Sequence, residues 1–471
     1  MSPYEQPPQW STAPRMNELE AMMWRSEQHP RQSSMLTAVM MLDRAPEWAR
    51  LIEAHEWATQ VIGRSRQRVL EPAVPVGLPA WIPDENFDLS HHLRRAQLPC
   101  GGAQDSIIRF AQDFAMQPLD RTRPLWEAVL VQDQSGENTA YILKMHHCLT
   151  DGIGGIQLLT AVQSDTREHT PNKPVPAPEQ TDNPSNSWHL AFDEVAEQAR
   201  VVPAAAHALA AAGIGATRTP LTSLTRTLRY ARSLRRVLSP AASGSPLLAG
   251  RTGLRWRFGT LECPLAQLRD AAKQVGGSVN DAFIAALLGG LRRYHDSHGQ
   301  PVNELPVAMP VSLRQPDDPL GGNKFTGAMF AAPVALTDPG ARICALSDIV
   351  AELREEPALD TFSVLAPVLN RTPSALAIGA GRLGGRADLS ASNFRGQTRD
   401  SYLAGAKVER FYPFGPLPGV AVMATMISHV GMCCIGLNID GAAVPDHDHL
   451  VDCFAEGLNE VLALSVSGGE R

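Results

Sequence analysis

Apolar positions along this chain fall into short runs cut by polar, Pro- and Gly-containing turns, and their spacing alternates between strand-like and helix-like. Ser34 to Leu42, with Met35, Leu36, Val39, Met40 and Met41, reads as a buried strand. Two apolar runs, Ala128–Val131 and Tyr141–Met145, flank a polar turn at Gln134–Asn138 and predict an antiparallel hairpin. Leu19–Trp24, Trp48–Ile62 and Ile107–Met116 carry helical periodicity. The second half repeats the alternation. A helix is expected from Asn280 to Tyr294, a strand over Leu305–Val311, paired strands at Val420–Ile427 and Met432–Ile439, and a closing helix from Asp446 to Leu464. The pattern predicts an α/β (α+β) protein with mixed sheets flanked by helices.

Breaks in the pattern suggest where the chain divides. Residues 1–15 are Pro- and Gln-rich and are expected to be loose; 16–164 form a first folded unit. Residues 165–250 read as a connection that starts polar and Pro/Asn-rich and turns basic, and 251–471 form a second unit. No Asp or Glu occurs between Val201 and Leu261, while Leu221, Leu224, Leu228 and Ala231 recur at helical spacing beside Arg226, Arg229, Arg232, Arg235 and Arg236. Such a helix either covers a domain joint or lies on an anionic lipid surface, with residues 221–238 as the contact.

Composition narrows the picture. A net charge of −7 gives no global reason to expect nucleic acid. No apolar run reaches the ~18 residues of a membrane span, and the first residues lack a basic start leading into an apolar core. Seven scattered cysteines without a Cys-x-x-Cys argue against a disulfide framework or zinc site and for a cytoplasmic setting. No metal or bound cofactor is expected.

The chemistry concentrates where the second strand of the hairpin ends, in His146-His147-Cys148-Leu149-Thr150-Asp151-Gly152. Side chains alternate across a strand, so the two histidines should point to opposite sides, one a candidate base and the other a scaffold. Asp151 is placed to cap the next helix or to anchor the turn. Gly152 leaves space for a substrate or an unusual backbone angle. Cys148 is expected to pack rather than to act as a nucleophile. A second pair, His91-His92, lacks the Asp-Gly and reads as solvated surface. Gly379 to Gly384 matches a dinucleotide fingerprint by letter, but Gly385-Arg386-Ala387-Asp388 leads away from a helix.

The seven-residue stretch resembles the His-His-x-x-x-Asp-Gly motif of CoA-dependent acyltransferases. Pro118-Leu119-Asp120 with Pro124-Leu125-Trp126-Glu127, Ser278-Val279-Asn280-Asp281, Pro310–Arg314 with Gly322-Asn323, and Ile435–Asp440 with Pro445-Asp446 are similar, in order, to blocks of the bacterial wax ester synthase/diacylglycerol acyltransferases. One block departs: Ser392-Asn393-Phe394-Arg395-Gly396-Gln397 stands where the family has Ser-Asn-Val-Pro-Gly-Pro.

The resemblance implies a two-lobed fold with an active-site channel between the lobes. It implies transfer of a fatty acyl group from acyl-CoA to a diacylglycerol or fatty alcohol. His147 would be the base, with His146, Asp151 and Gly152 completing the catalytic set. Pro124, Leu125, Trp126, Asn280, Asp281, Ser392 and Asn393 would shape the substrate site. It also implies a cytoplasmic protein that can sit on the inner membrane or on lipid inclusions. A condensation-type domain of nonribosomal peptide synthesis, and a catalytically silent lipid-binding homologue, are the competing expectations.

Overall fold

The computed structural model describes residues 10, 13–29, 32–74, 77–98, 104–134, 138–170, 186–193, 242–312, 321–354 and 387–467. The basic segment 221–238 and the Gly379–Gly384 run lie outside the described residues.

Two large mixed sheets carry the fold. The first is built from β1 (Met35–Leu42), β4 (Leu93–Leu98), β5 (Trp126–Asp133), β6 (Thr139–His146), β7 (Gln163–Ser164), β12 (Tyr402–Leu403) and β13 (Ala406–Phe414), in the order β4-β5-β6-β1-β13-β12-β7. The second is built from β8 (Trp256–Pro264), β9 (Glu304–Ser312), β10 (Phe325–Pro333), β11 (Leu389–Arg395), β14 (Val422–His429) and β15 (Met432–Asp440). Its order is β10-β9-β11-β14-β15-β8. A small pair, β2 (Gln67–Leu70) and β3 (Ala80–Pro83), completes the strands.

Strand β6 is buried at every position because it lies between β5 and β1. Its mainly apolar sequence follows, since a strand covered on both faces needs no polar side; Lys144, a buried exception, donates from Nζ to Phe114 O and Gln117 O at 3.2 and 3.0 Å. The first sheet is flanked by α1 (Glu18–Ser26), α2 (Trp48–Val61), the single turn α3 (Leu89–His92), α4 (Gln104–Met116) and α5 (Gly152–Ala161). The second is flanked by α6 (Leu265–Gln274), α7 (Val279–Ser297), α8 (Pro339–Arg354) and α9 (His447–Ser467). Each sheet has its own apolar core: Val39, Ile142 and Leu143 sit in one, Phe283, Leu437 and Phe454 in the other. Among the described residues no helix is long and apolar enough to cross a membrane.

Three expectations are corrected. Strands β12 and β13 come from the second folded unit of the sequence but join the first sheet, β13 pairing with β1 from Thr37↔Phe414 to Leu42↔Val408. The division at residue 250 therefore does not separate the sheets. Residues 1–15 are not loose throughout. Trp10 packs with Val61 and Ile62, and Pro14 O accepts the Trp81 N–H at 2.8 Å. His92 is not solvated: its ring is buried between Phe87 and Trp126, and its Nδ1 lies 2.7 Å from Trp126 O. Only His91 of that pair is exposed.

Candidate active site

The two histidines diverge as strand geometry requires, and each is held differently. His146, the last residue of β6, is buried, with Nε2 2.8 Å from the Glu27 carboxylate at the C-terminal end of α1. Its Nδ1 accepts the Cys148 N–H at 3.0 Å, which places the proton on Nε2, facing Glu27. Burial would push the Glu27 carboxyl up, but His146 and the Ser34 N–H hold it below the usual carboxylate value. Both ring nitrogens of this histidine are therefore engaged by protein groups.

His147 has the opposite tautomer. Its Nδ1 lies 2.9 Å from Asn323 Oδ1, while Asn323 Nδ2 donates to His147 O at 2.8 Å. The second bond fixes the amide so that its oxygen faces the ring, and Nδ1 must be the protonated nitrogen. Nε2 is then the basic one. Burial lowers the His147 pKa, against smaller upward contributions from its own carbonyl, Asp151 and Asn323. The ring is therefore neutral at physiological pH, as a general base must be.

Asn323 comes from the loop before β10, and α1 clamps that loop to the first sheet. Asn17 caps α1 through a reciprocal capping box with Glu20. Asn17 Nδ2 also donates to Asn323 O at 3.1 Å, and Glu20 accepts the Asn323 N–H at 3.1 Å. The buried Glu20 carboxyl has a raised pKa; desolvation outweighs the charge of Arg64 and the two backbone donors. Gly321 and Gly322 have φ of +73° and +70°, a conformation that costs other residues energy. It lets Gly322 bridge to Thr150 and accept the Asp151 N–H at 3.3 Å.

Asp151 caps α5: its Oδ1 accepts Gly154 N–H at 2.9 Å, and its other oxygen lies 3.4 Å from Lys324 N. Gly152 does not leave open space. A Cβ there would collide with the ring of Phe394, which fills the position. Cys148 is fully buried and its thiol pKa is pushed well above the usual value, so it packs and does not attack.

The sequence profile of the wax ester synthase/diacylglycerol acyltransferase catalytic domain matches residues 16–283, and that of the family's C-terminal domain matches 321–461. The chain belongs to this family. A Mycobacterium tuberculosis relative named as a candidate diacylglycerol O-acyltransferase is 38% identical over 451 residues, covering 95% of this chain and 91% of the relative. Another from the same organism is 26% identical over 488 residues, covering 97% and 92%. In structure, the chain is similar to the wax ester synthase/diacylglycerol acyltransferase of Marinobacter aquaeolei. The TM-score is 0.64 at 21% identity, over 96% of this chain and all of that one. It is also similar to a starter condensation domain of rhizomide synthetase solved with C8-CoA and Leu-SNAC, with TM-score 0.59 and 14% identity over 96% and 94%. Both likenesses are of fold.

The family's other blocks play parts that sequence did not foresee. Pro124, Leu125 and Trp126, expected to shape the substrate site, are buried. Trp126 donates from Nε1 to Ser65 O at 2.8 Å and stacks with His55 and His92, and Leu125 O accepts the His146 N–H. Asp281, also expected there, accepts from Ser278 N and Oγ with one carboxylate oxygen, in the capping box of α7, while its Oδ1 is buried with no hydrogen-bond partner among the described residues. Asn280 is partly buried, with Nδ2 3.3 Å from Met309 Sδ. Ser392 is buried in β11 opposite Thr425, and Asn393 is exposed. Asn323, Asn17, Glu20 and Glu27 were missed as site residues. The Gly-Gly-Asn run was the available signal for the first; nothing local marks the others.

Proposed function

We propose that this protein transfers a fatty acyl group from acyl-CoA to the hydroxyl of a diacylglycerol or long-chain alcohol, yielding triacylglycerol or wax ester. Family membership supports the reaction class, and the tautomer imposed on His147 by Asn323 carries the assignment of the base. Nε2 of His147 takes the acceptor's hydroxyl proton as its oxygen attacks the thioester carbonyl carbon. The tetrahedral adduct collapses, the C–S bond breaks, and the imidazolium returns the proton to the departing CoA thiolate. His146, Asp151 and Gly152 hold the turn. The acyl-CoA ligand of the condensation domain supports CoA thioesters as the donor class for this fold.

The test uses the purified protein with palmitoyl-CoA and either dioleoylglycerol or hexadecanol, monitoring thiol release. Release should require acceptor and vanish in His147→Ala. Equal release by wild type and His147→Ala overturns the mechanism, and none by wild type favours a silent lipid-binding homologue. Recruitment to lipid by the basic segment 221–238 is part of the same proposal. Replacing Arg229, Arg232, Arg235 and Arg236 by Gln should lower co-sedimentation with anionic liposomes.

A further inference from the structure

Asn323 holds the carbonyl side of the His147 backbone, and a second set of contacts holds the amide side. The His147 N–H donates to Ser34 O at 2.8 Å, and the N–H of the next residue, Cys148, donates to His146 Nδ1 at 3.0 Å. Both acceptors belong to residues that Glu27 engages. Its Oε1 accepts the Ser34 N–H at 3.1 Å and lies 3.5 Å from Ser33 Oγ, while its Oε2 lies 2.8 Å from His146 Nε2. That last approach is an electrostatic contact rather than an aligned hydrogen bond. One carboxylate therefore reaches His147 from two directions, through the residue that leads into β1 and through the neighbouring ring.

Its surroundings work against a charge. Glu27 is the C-cap of α1, where the helix dipole favours cations, and burial opposes the carboxylate as well; its partners nonetheless keep its carboxyl below the usual value. The His146 ring is buried against Trp24, which meets it edge-on with centroids 5.8 Å apart, and the Arg121 guanidinium covers Trp24 at 3.4 Å. The groups turned toward Glu27 are donors: the Ser34 N–H, and the Nε2–H of the tautomer that Cys148 selects. A carboxylate offers an acceptor to each. An amide of the same shape offers one acceptor and one donor.

We propose that Glu27 is a positioning residue for the general base: by accepting on both sides, its carboxylate fixes the stretch of backbone that carries the His147 ring. The inference rests on the acyltransferase reading. The two acceptor oxygens are what the role requires. With Gln in this place, an amide oxygen that keeps the Ser34 N–H turns the amide N–H toward His146 Nε2. The His146 proton then moves to Nδ1, where it confronts the Cys148 N–H. The clash falls on the residue next to the base. Glu27 touches no substrate in this role, so its loss appears in the chemical step and not in binding.

Thiol release from palmitoyl-CoA with hexadecanol is measured for wild type, Glu27→Gln and Glu27→Asp, with rates expressed per folded protein from circular dichroism. Glu27→Gln should lower kcat by at least roughly fivefold with KM little changed. Glu27→Asp, one methylene shorter but with both acceptors, should lower kcat less than the isosteric Gln; a role in packing alone gives the reverse order. Imidazole nitrogen NMR of histidine-labelled protein should show the His146 proton on Nε2 in wild type and on Nδ1 in Glu27→Gln. If Glu27→Gln fails to fold by thermal unfolding, Glu27→Asp carries the test, and a lowered kcat at unchanged KM supports the role. Wild-type turnover with kcat unmoved in the folded variants, or a loss confined to KM, overturns the positioning role alone. No turnover by wild type with either acceptor class overturns the acyltransferase reading and the role with it.

Discussion

Asn323 Oδ1 lies 2.9 Å from His147 Nδ1, so a loop leading into the second sheet decides which nitrogen of a first-sheet histidine carries the proton. In the proposed reaction, the basic nitrogen is set only when the two halves are assembled. The same loop is clasped by Glu20 of the first helix and by its cap Asn17, so α1 helps to hold the partner of the His147 ring in place.

Asn323→Ala should lower kcat with little change in KM, because the ring loses its orientation while the substrate contacts remain. A lost buried hydrogen bond of about 1–3 kcal/mol corresponds to roughly 5- to 150-fold in rate. Steady-state kinetics on the folded variant checks this; an unchanged kcat removes Asn323 from the frame.

The pH profile is set by the His147 shift. Burial depresses its pKa below the ordinary 6.5, and the base works only when neutral. The acid limb of kcat/KM should therefore fall below pH 6.5, with activity lost as pH drops through it. Asn323→Asp sets an anion beside Nδ1, favours the imidazolium, and should move that limb upward.

Glu27 contributes to stability in a defined pH window. Its folded carboxyl lies below the ordinary value of 4.5, because His146 and Ser34 outweigh burial. Its stabilising effect is complete above that ordinary value and is lost as pH falls through the depressed one. Thermal unfolding measured from neutral pH into the carboxylate range should show a smaller decline in Tm for Glu27→Gln than for wild type.

Gly152 and Phe394 should couple. Gly152→Ala drives a methyl into the ring, an overpacking that costs about 1–3 kcal/mol. In the Phe394→Ala background the same substitution should cost much less, giving an interaction energy of at least about 0.5 kcal/mol in a double-mutant cycle of unfolding. Additive losses would show that the ring does not occupy the Gly152 position in solution.

Ser278 tests the capping role of the Asn280-Asp281 block. Its Oγ accepts the Asp281 N–H at 3.2 Å as the cap of α7. Ser278→Ala should cost about 1 kcal/mol of stability while leaving kcat/KM unchanged, read by denaturant unfolding and thiol release.

Much of this protein was determined locally. The mainly apolar β6, the β5–β6 hairpin, the divergence of His146 and His147, and the helix cap at Asp151 each come from side-chain period and backbone chemistry within a short stretch of chain. Those rules act between neighbours, so they are legible in one dimension. They also explain why Cys148 and Asp151 could be set aside as proton carriers before any contact was known.

Tertiary structure decided the rest. Nothing near Gly322-Asn323 announces a partner 176 residues away, and nothing near Glu20 or Glu27 marks them as supports. Gly152 looked like room for a substrate until Phe394 arrived from β11 to fill it. Trp126, which the sequence placed beside the motif, stacks with His55 and His92, neither of which its own stretch announces. In each case the partner is remote in sequence, and a side chain's role depends on which surface is brought against it. The tautomer of His147 is the sharpest example: the residue was legible, while its basic nitrogen was set by a hydrogen bond that only the assembled fold contains.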